Sequence, residues 1–159
     1  MRAVVPAAPP APRPLWVDAA PFRAHVRHTI DDADVPWPAI AVAGGVSVNA
    51  VRGLLFGRAG RQQVRIEPRL AARLLQVDAR QLITLRTARV PAGDTTERLR
   101  ELLTAGFDPL RLARWCHLSP TELALLVDGD ATSCTRLTEA LADAARRLHS
   151  TSGSSCSAA

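Results

Sequence analysis

The sequence predicts an all-α fold of two tandem helical units with disordered N- and C-terminal tails. Apolar residues recur at helical spacing through most of residues 18–149, and an alternating pattern is confined to 62–66, too short to predict a strand. The chain also repeats itself at one constant offset, which is typical of a duplicated helical unit. Aromatic residues make up only 4% of the chain, so Ala, Leu and Val must fill a closely packed helical core.

The repeat has an offset of 72 residues. Its first copy is Ala41-x-x-x-Gly45-Val46-Ser47-x-x-x-Val51-x-x-Leu54-x-x-Gly57, and its second is Ala113-x-x-x-His117-Leu118-Ser119-x-x-x-Leu123-x-x-Leu126-x-x-Gly129. The same offset aligns three upstream pairs: Ile30 with Leu102, Ala33 with Ala105, and Ile40 with Leu112. We therefore predict four segments: a Pro-rich flexible arm at 1–17, a basic unit at 18–90, a second, degenerate unit at 91–149, and a disordered tail at 150–159.

Helix-start and helix-stop residues define the elements of each unit. Prolines such as Pro68 and Pro120 fit a first helical turn, Ser47 and Ser119 are good N-caps, and Gly57 is a good helix stop. The helices predicted in the first unit are 21–33, 37–43, 47–56, 67–75 and 78–87. Those predicted in the second unit are 95–105, 109–116, 119–127 and 135–149.

The spacing within each copy is typical of a helix-turn-helix, in which two short helices cross steeply around a tight turn. The crossing needs a small residue, which is Ala41 or Ala113. The turn four residues later favours glycine, because glycine adopts a positive φ without strain; Gly45 is present in the first copy, but His117 replaces it in the second. The alternative is an ordinary helical hairpin that binds no nucleic acid.

Charge separates the two units. The formal net charge is +5, and every basic residue is arginine, which suits phosphate oxygens and guanine edges. Residues 1–90 contain 13 Arg and 6 acids, whereas residues 91–159 contain 7 Arg and 9 acids. The first unit is therefore expected to bind an anionic partner, and the motif makes double-stranded DNA the expected one.

A family resemblance supports this hypothesis. The residues that carry it are Arg23-Ala24-His25-Val26-Arg27, Ile40-Ala41-x-Ala43-Gly44-Gly45-Val46-Ser47, Leu54-Leu55-x-Gly57-Arg58 and Arg65-Ile66-x-Pro68-x-x-Ala71-Ala72-Arg73-Leu74-Leu75. Residues 22–90 resemble the lambda-repressor-like helix-turn-helix superfamily, in particular the short tandem regulators of high-GC actinobacteria and their phages. The resemblance implies a repressor-like transcriptional regulator whose recognition helix, at 47–56, lies in the major groove.

The candidate DNA-binding residues lie on the third helix and in the loop after it. On the helix we expect Ser47, Val48, Asn49, Ala50, Arg52 and Gly53 to face solvent, with Asn49 suited to adenine and Arg52 to guanine. The alternative for this helix face is capping and ordinary exposure. In the loop, glycines flank the arginines, which predicts a flexible cationic segment for the DNA backbone or minor groove; its candidates are Arg58, Arg61, Gln62 and Arg65. A solvated loop would have the same composition.

The corresponding face of the second unit includes Thr121, Glu122 and Leu125, which suit phosphates poorly. We therefore expect this unit to pack, to form a homodimer or to bind a protein; the alternative is a bipartite DNA binder with a weak second half. For the whole chain, the rival hypotheses are a protein-interaction or antitoxin-like module and a nucleoid-type, non-specific DNA binder.

Other function classes are excluded by what the sequence lacks. No apolar run approaches the ~20 residues that span a membrane, and the odd, widely spaced cysteines Cys116, Cys134 and Cys156 suggest a reducing cytoplasm. Without Cys-x-x-Cys or His-x3-His pairs, a phosphate loop, a nucleophile elbow or a convincing acid pair, we expect no metal, no cofactor and no enzymatic activity. The expected location is the cytoplasm, in association with the nucleoid.

Overall fold

The computed structural model describes residues 15–153, which form nine α-helices and four short strands. The elements of the first unit are β1 (Val17–Asp18), α1 (Ala20–Ala33), α2 (Pro38–Gly44), α3 (Val48–Phe56), β2 (Arg65–Ile66), α4 (Pro68–Leu75) and α5 (Ala79–Thr87). Those of the second unit are β3 (Arg89–Pro91), α6 (Gly93–Thr104), α7 (Pro109–Trp115), α8 (Pro120–Asp128), β4 (Ser133–Thr135) and α9 (Arg136–Gly153). None of these helices is long and apolar enough to span a membrane.

The fold is mostly helical, as predicted, but each unit also contains a two-stranded antiparallel sheet that the all-α prediction did not include. In the first, Val17 of β1 lies opposite Ile66 of β2; in the second, Val90 of β3 lies opposite Cys134 of β4. Each strand has only two or three residues, so it leaves no alternating pattern in the sequence. The paired strands are also far apart along the chain, so their pairing depends on the helices between them.

Both units have the same order of elements: a strand, three helices and a returning strand. Helices α3 and α8 correspond at the predicted offset of 72. The first helices correspond better at an offset of 73, because buried Val26 and Thr29 match buried Leu99 and Leu102. This differs from the upstream alignment predicted from the sequence, in which Ile30 was matched with Leu102. The difference of one residue therefore arises after the beginning of the first helix and before the third helix of each unit, since α1 and α6 begin 73 residues apart and α3 and α8 begin 72 apart.

Local capping explains where the central helices begin. The Ser47 hydroxyl accepts a hydrogen bond from the Ala50 N–H at 3.1 Å, as predicted for an N-cap. Ser119 does the same for Glu122, whose carboxylate accepts in return from the Ser119 N–H at 2.8 Å. Before these caps, Gly45 has a φ of 58° and His117 a φ of 56°, so both turns use the left-handed conformation. The second turn therefore keeps its shape despite the loss of glycine.

The two units share one continuous hydrophobic core. Helix α9 packs against α6 of its own unit and also against α2 and α5 of the first unit. At the same junction the rings of Trp37 and Trp115 meet edge to face, with centroids 5.7 Å apart. Trp115 is half-buried and packs against this core.

The ends of the described chain differ from the predicted tails. Val17, which was assigned to the flexible arm, is paired in β1, and α9 continues to Gly153, four residues into the predicted C-terminal tail. The four extra residues of α9 are Ser, Thr, Ser and Gly. This composition favours a coil over a helix, which is why the sequence predicted a tail here. Residues 1–14 and 154–159, including Cys156, lie outside the described residues.

Candidate nucleic-acid interface

Helix α3 presents one polar face to solvent. Its buried side chains Val51, Leu54 and Leu55 hold it against the core. Asn49 and Arg52, three residues apart, are exposed on the other face, and Phe56, one turn further, is 63% exposed. The major groove of B-DNA is wide enough to admit an α-helix, and a polar, basic outer face suits the base edges and phosphates around it.

The structure supports the predicted exposure of the α3 candidates only in part. Ser47, Asn49 and Arg52 are exposed and Ala50 is half-buried, but Val48 and Gly53 are buried, so those two predictions were wrong. Val48 lines a groove of about 450 Å³ whose opposite wall is α9. Gly53 is covered by the loop that follows α3: a Cβ built there would lie 3.4 Å from the Arg58 guanidinium nitrogen Nε. Sequence reasoning missed both because α9 and the folded-back loop reach these positions only in the tertiary structure.

The loop after α3, which the sequence predicts to be flexible, contains a tight hairpin. The Arg58 N–H donates to the Arg61 carbonyl at 2.9 Å, and the Arg61 N–H donates to the Arg58 carbonyl at 3.0 Å. Between them Ala59 and Gly60 have φ values of 48° and 75°, as in a type I′ turn. We call residues 58–61 the basic hairpin. Its two arginine side chains are exposed.

Gly57 allows the basic hairpin to fold back on α3. Its φ is 77°, and a Cβ at this position would clash with the Arg61 carbonyl group, whose carbon would be 2.9 Å away. Glycine is therefore required here both for its backbone conformation and for its lack of a side chain. The close approach leaves a groove of about 500 Å³ lined by Asn49, Arg52 and Arg58.

A buried arginine that sequence reasoning missed anchors this region. Arg23 of α1 donates from Nε to the Leu54 carbonyl at 2.7 Å and from Nη2 to the Gln63 carbonyl at 2.5 Å. It thereby ties the last turn of α3 to the chain that leaves the basic hairpin. In the second unit the shorter Thr96 donates to the corresponding Leu126 carbonyl at 2.9 Å. The sequence carried no signal for this role, because an arginine on a helix is usually exposed.

Helix α4 supplies two further arginines on the other side of α3. Arg69 and Arg73 line a groove of about 630 Å³ together with Ser47 and Ala50. Arg73 Nη1 also donates to the Gly45 carbonyl at 2.7 Å and so steadies the turn before α3. The sequence predicts a helix over 67–75 but gives no sign that Arg69 and Arg73 belong to a binding site.

The segment that contains α3 and the basic hairpin is strongly basic. Residues 35–66 contain four arginines and no acid. Those arginines form no ion pair within residues 15–153, where the acids that pair with arginine are Asp34 and Asp143. The predicted loop candidates Gln62 and Arg65 are exposed beside the basic hairpin. An exposed cluster of unneutralised guanidinium groups attracts phosphate oxygens.

The corresponding face of α8 has a different chemistry. Thr121 and Glu122 are exposed, and Leu125 is 44% exposed, but α8 contains no basic residue. The backbone and side-chain hydrogen bonds with Ser119 lower the pKa of the Glu122 carboxyl, so it stays ionised as part of the helix cap. This face offers a hydroxyl, an acid and an apolar side chain to a partner, and no cation that pairs with phosphate.

The cysteines do not form a site within residues 15–153. Cys116 and Cys134 are buried free thiols, and the described residues contain no cluster of three side chains suited to a metal. Burial raises the pKa of the Cys116 thiol to about 12, so it stays protonated and unreactive at neutral pH. The Cys134 sulfur lies 3.5 Å from the Thr95 hydroxyl inside the core.

Comparisons with known protein families, with characterised proteins and with solved structures found no significant match for this chain. The exposed residues of α3 border two grooves, one shared with Arg58 of the basic hairpin and the other with Arg69 and Arg73 of α4. The second groove is also lined by the acidic residue Glu67.

Proposed function

We propose that this protein is a sequence-specific, repressor-like regulator of transcription that binds double-stranded DNA. The observation that carries the proposal is the grouping of exposed Asn49 and Arg52 of α3 with the unpaired arginines of the basic hairpin. A single exposed arginine would mean little. A helix with a polar outer face, flanked on one side by Arg58 and on the other by Arg69, matches the charge distribution of a duplex groove between two phosphate strands.

In this proposal α2, the turn at Gly45 and α3 form a helix-turn-helix, and α3 enters the major groove. Asn49 pairs with adenine and Arg52 with guanine, because both side chains can form two hydrogen bonds with the respective base edge. Arg58, Arg61 and Arg65 bind phosphates and set the position of α3 along the groove. The second unit is a related helix-turn-helix whose α8 has lost the charge needed for the same role.

Selection of bound sites from random double-stranded DNA, followed by gel-shift titration, tests the proposal. We expect one enriched motif that the wild type binds at least a thousandfold more tightly than random DNA. The R52Q variant should lose about 1–3 kcal/mol of discrimination at one base pair. The matched R58Q and R61Q variants should weaken binding to all sequences alike.

Two outcomes would overturn the proposal in different ways. Equal affinity for every duplex would exclude sequence specificity and leave a nucleoid-type binder. No binding at low salt, with helical structure intact by circular dichroism, would exclude DNA altogether. The exposed Leu125 and Glu122 of α8 would then make a protein-interaction role the better hypothesis.

A further inference from the structure

A row of aromatic rings connects α3 to the second unit. Phe56, in the last turn of α3, meets Trp37 edge to face with ring centroids 5.7 Å apart, and Trp37 meets Trp115 of α7 at the same separation. Trp115 is therefore at most twice that distance from Phe56, an upper limit below the ~12 Å width of the B-DNA major groove. The row thus places α7 near the C-terminal end of α3.

Two arginines of α7 line the cleft along this row. Arg111 and Arg114 are three residues apart, both exposed, and border a cleft of about 400 Å³ whose other wall is formed by Pro36, Trp37 and Pro38. Neither side chain has an ion-pair partner within residues 15–153. The nearest acid in sequence, Asp108, caps α7 by accepting from the Arg111 N–H at 2.8 Å.

The net acidity of the second unit does not extend to this helix. Residues 109–115 contain two arginines and no acid, and the acids of the unit lie elsewhere, on α6, α8, α9 and their connections. The positive surface around α3 can therefore continue onto α7, although α8, the helix that corresponds to α3, carries no cation.

We propose that the second unit contributes to DNA binding through α7 rather than through α8. Arg111 and Arg114 bind phosphates of the strand that borders the groove occupied by α3, and the duplex lies across both units. This inference rests on the proposed function and deepens it. The shared hydrophobic core at the junction holds the α3 and α7 surfaces at a fixed distance. The DNA site covered by the protein should therefore extend beyond the bases contacted by α3, on the side where α7 lies.

The salt dependence of binding to the selected duplex tests this inference. Each phosphate contact adds about 0.9 to the slope of log affinity against log salt, so R111Q and R114Q should each lower the slope by about one and the double variant by about two. Between 50 and 200 mM salt, the affinity of the double variant should fall about tenfold less than that of the wild type. Its hydroxyl-radical footprint should shorten on one flank, with base preference unchanged.

R136Q is the matched control. Arg136 is exposed and begins α9 beside the paired strands β3 and β4, outside the cleft at Trp37. It should leave both the slope and the footprint unchanged.

The outcomes separate this inference from the proposed function. If the wild type binds specifically but R111Q and R114Q change neither slope nor footprint, the role of α7 is overturned and the role of α3 stands. An equal loss for R136Q would show a general charge effect and would also overturn it. A wild type that binds no DNA would overturn both.

Discussion

The indole ring of Trp37 meets the indole ring of Trp115 edge to face across the junction of the two units, with centroids 5.7 Å apart. This arrangement aligns the positive edge of one ring with the negative face of the other. Trp115 is held in place by its Nε1–H, which donates to the Leu141 carbonyl of α9 at 3.0 Å. The contact therefore connects α2 of the first unit to α7 and α9 of the second.

We expect W115A to lower the free energy of unfolding by about 3 kcal/mol, because it removes a large ring from a packed junction. W115F keeps most of the ring contact but loses the hydrogen bond to Leu141, and should cost about 1 kcal/mol. Urea denaturation measures both values. L125A, which truncates an exposed apolar side chain on α8, is the control and should stay within about 0.5 kcal/mol of wild type. Equal stability of W115A and wild type would contradict an energetic role for the junction.

The turns before α3 and α8 provide a matched pair of substitutions. His117 has a φ of 56°, where a side chain costs roughly 1–2 kcal/mol, whereas Gly45 adopts 58° without strain. H117G should therefore raise the free energy of unfolding by about 0.5–1 kcal/mol after the added flexibility of the unfolded chain is subtracted. G45A should lower it by about 1 kcal/mol. Urea denaturation of the two variants checks both signs, and a less stable H117G would show that the imidazole makes a stabilising contact larger than the strain.

Arg23 connects α3 to the loop that follows it through two hydrogen bonds to backbone carbonyls. R23M fills a similar volume but leaves the Leu54 and Gln63 carbonyls without their donor, so it should cost about 3 kcal/mol. R27M is the control: Arg27 is exposed and makes one long contact of 3.4 Å to the Leu55 carbonyl, so it should cost less than about 1 kcal/mol. Chemical denaturation compares the two. Similar losses for both variants would contradict a special role for the buried guanidinium.

The cap of α8 should make stability depend on acidity. The pKa of the Glu122 carboxyl lies below its ordinary value of 4.5 in the folded protein, mainly because of hydrogen bonds with Ser119. Because its pKa is lowered on folding, the ionised Glu122 carboxyl stabilises the folded protein above pH 4.5. This stabilisation is lost as the pH falls through the lowered pKa and the carboxyl becomes protonated. The difference in melting temperature between wild type and E122Q should therefore be largest near neutral pH and shrink in acid. A difference that is constant from pH 7 to pH 3 would contradict this.

Several features were predictable from the sequence because their causes are local. The N-cap at Ser47, the left-handed turn at Gly45 and the helix stop at Gly57 each depend on residues within one turn of the position concerned. The exposure of Asn49 and Arg52 followed from the helical pattern of the apolar residues around them. The strands were not predictable, because two or three residues leave no period to detect.

The sequence by itself determined the helical character, the repeat at 72 residues, and the concentration of positive charge in the first half. These depend on residue type and short-range spacing. Only the tertiary structure decided that Val48 lines a groove opposite α9, that Arg23 is buried and bonded to the end of α3, and that Trp115 brings Arg111 and Arg114 close to Trp37. Each of these contacts joins segments distant in the chain, and which segments meet is set by how the helices pack around one shared core.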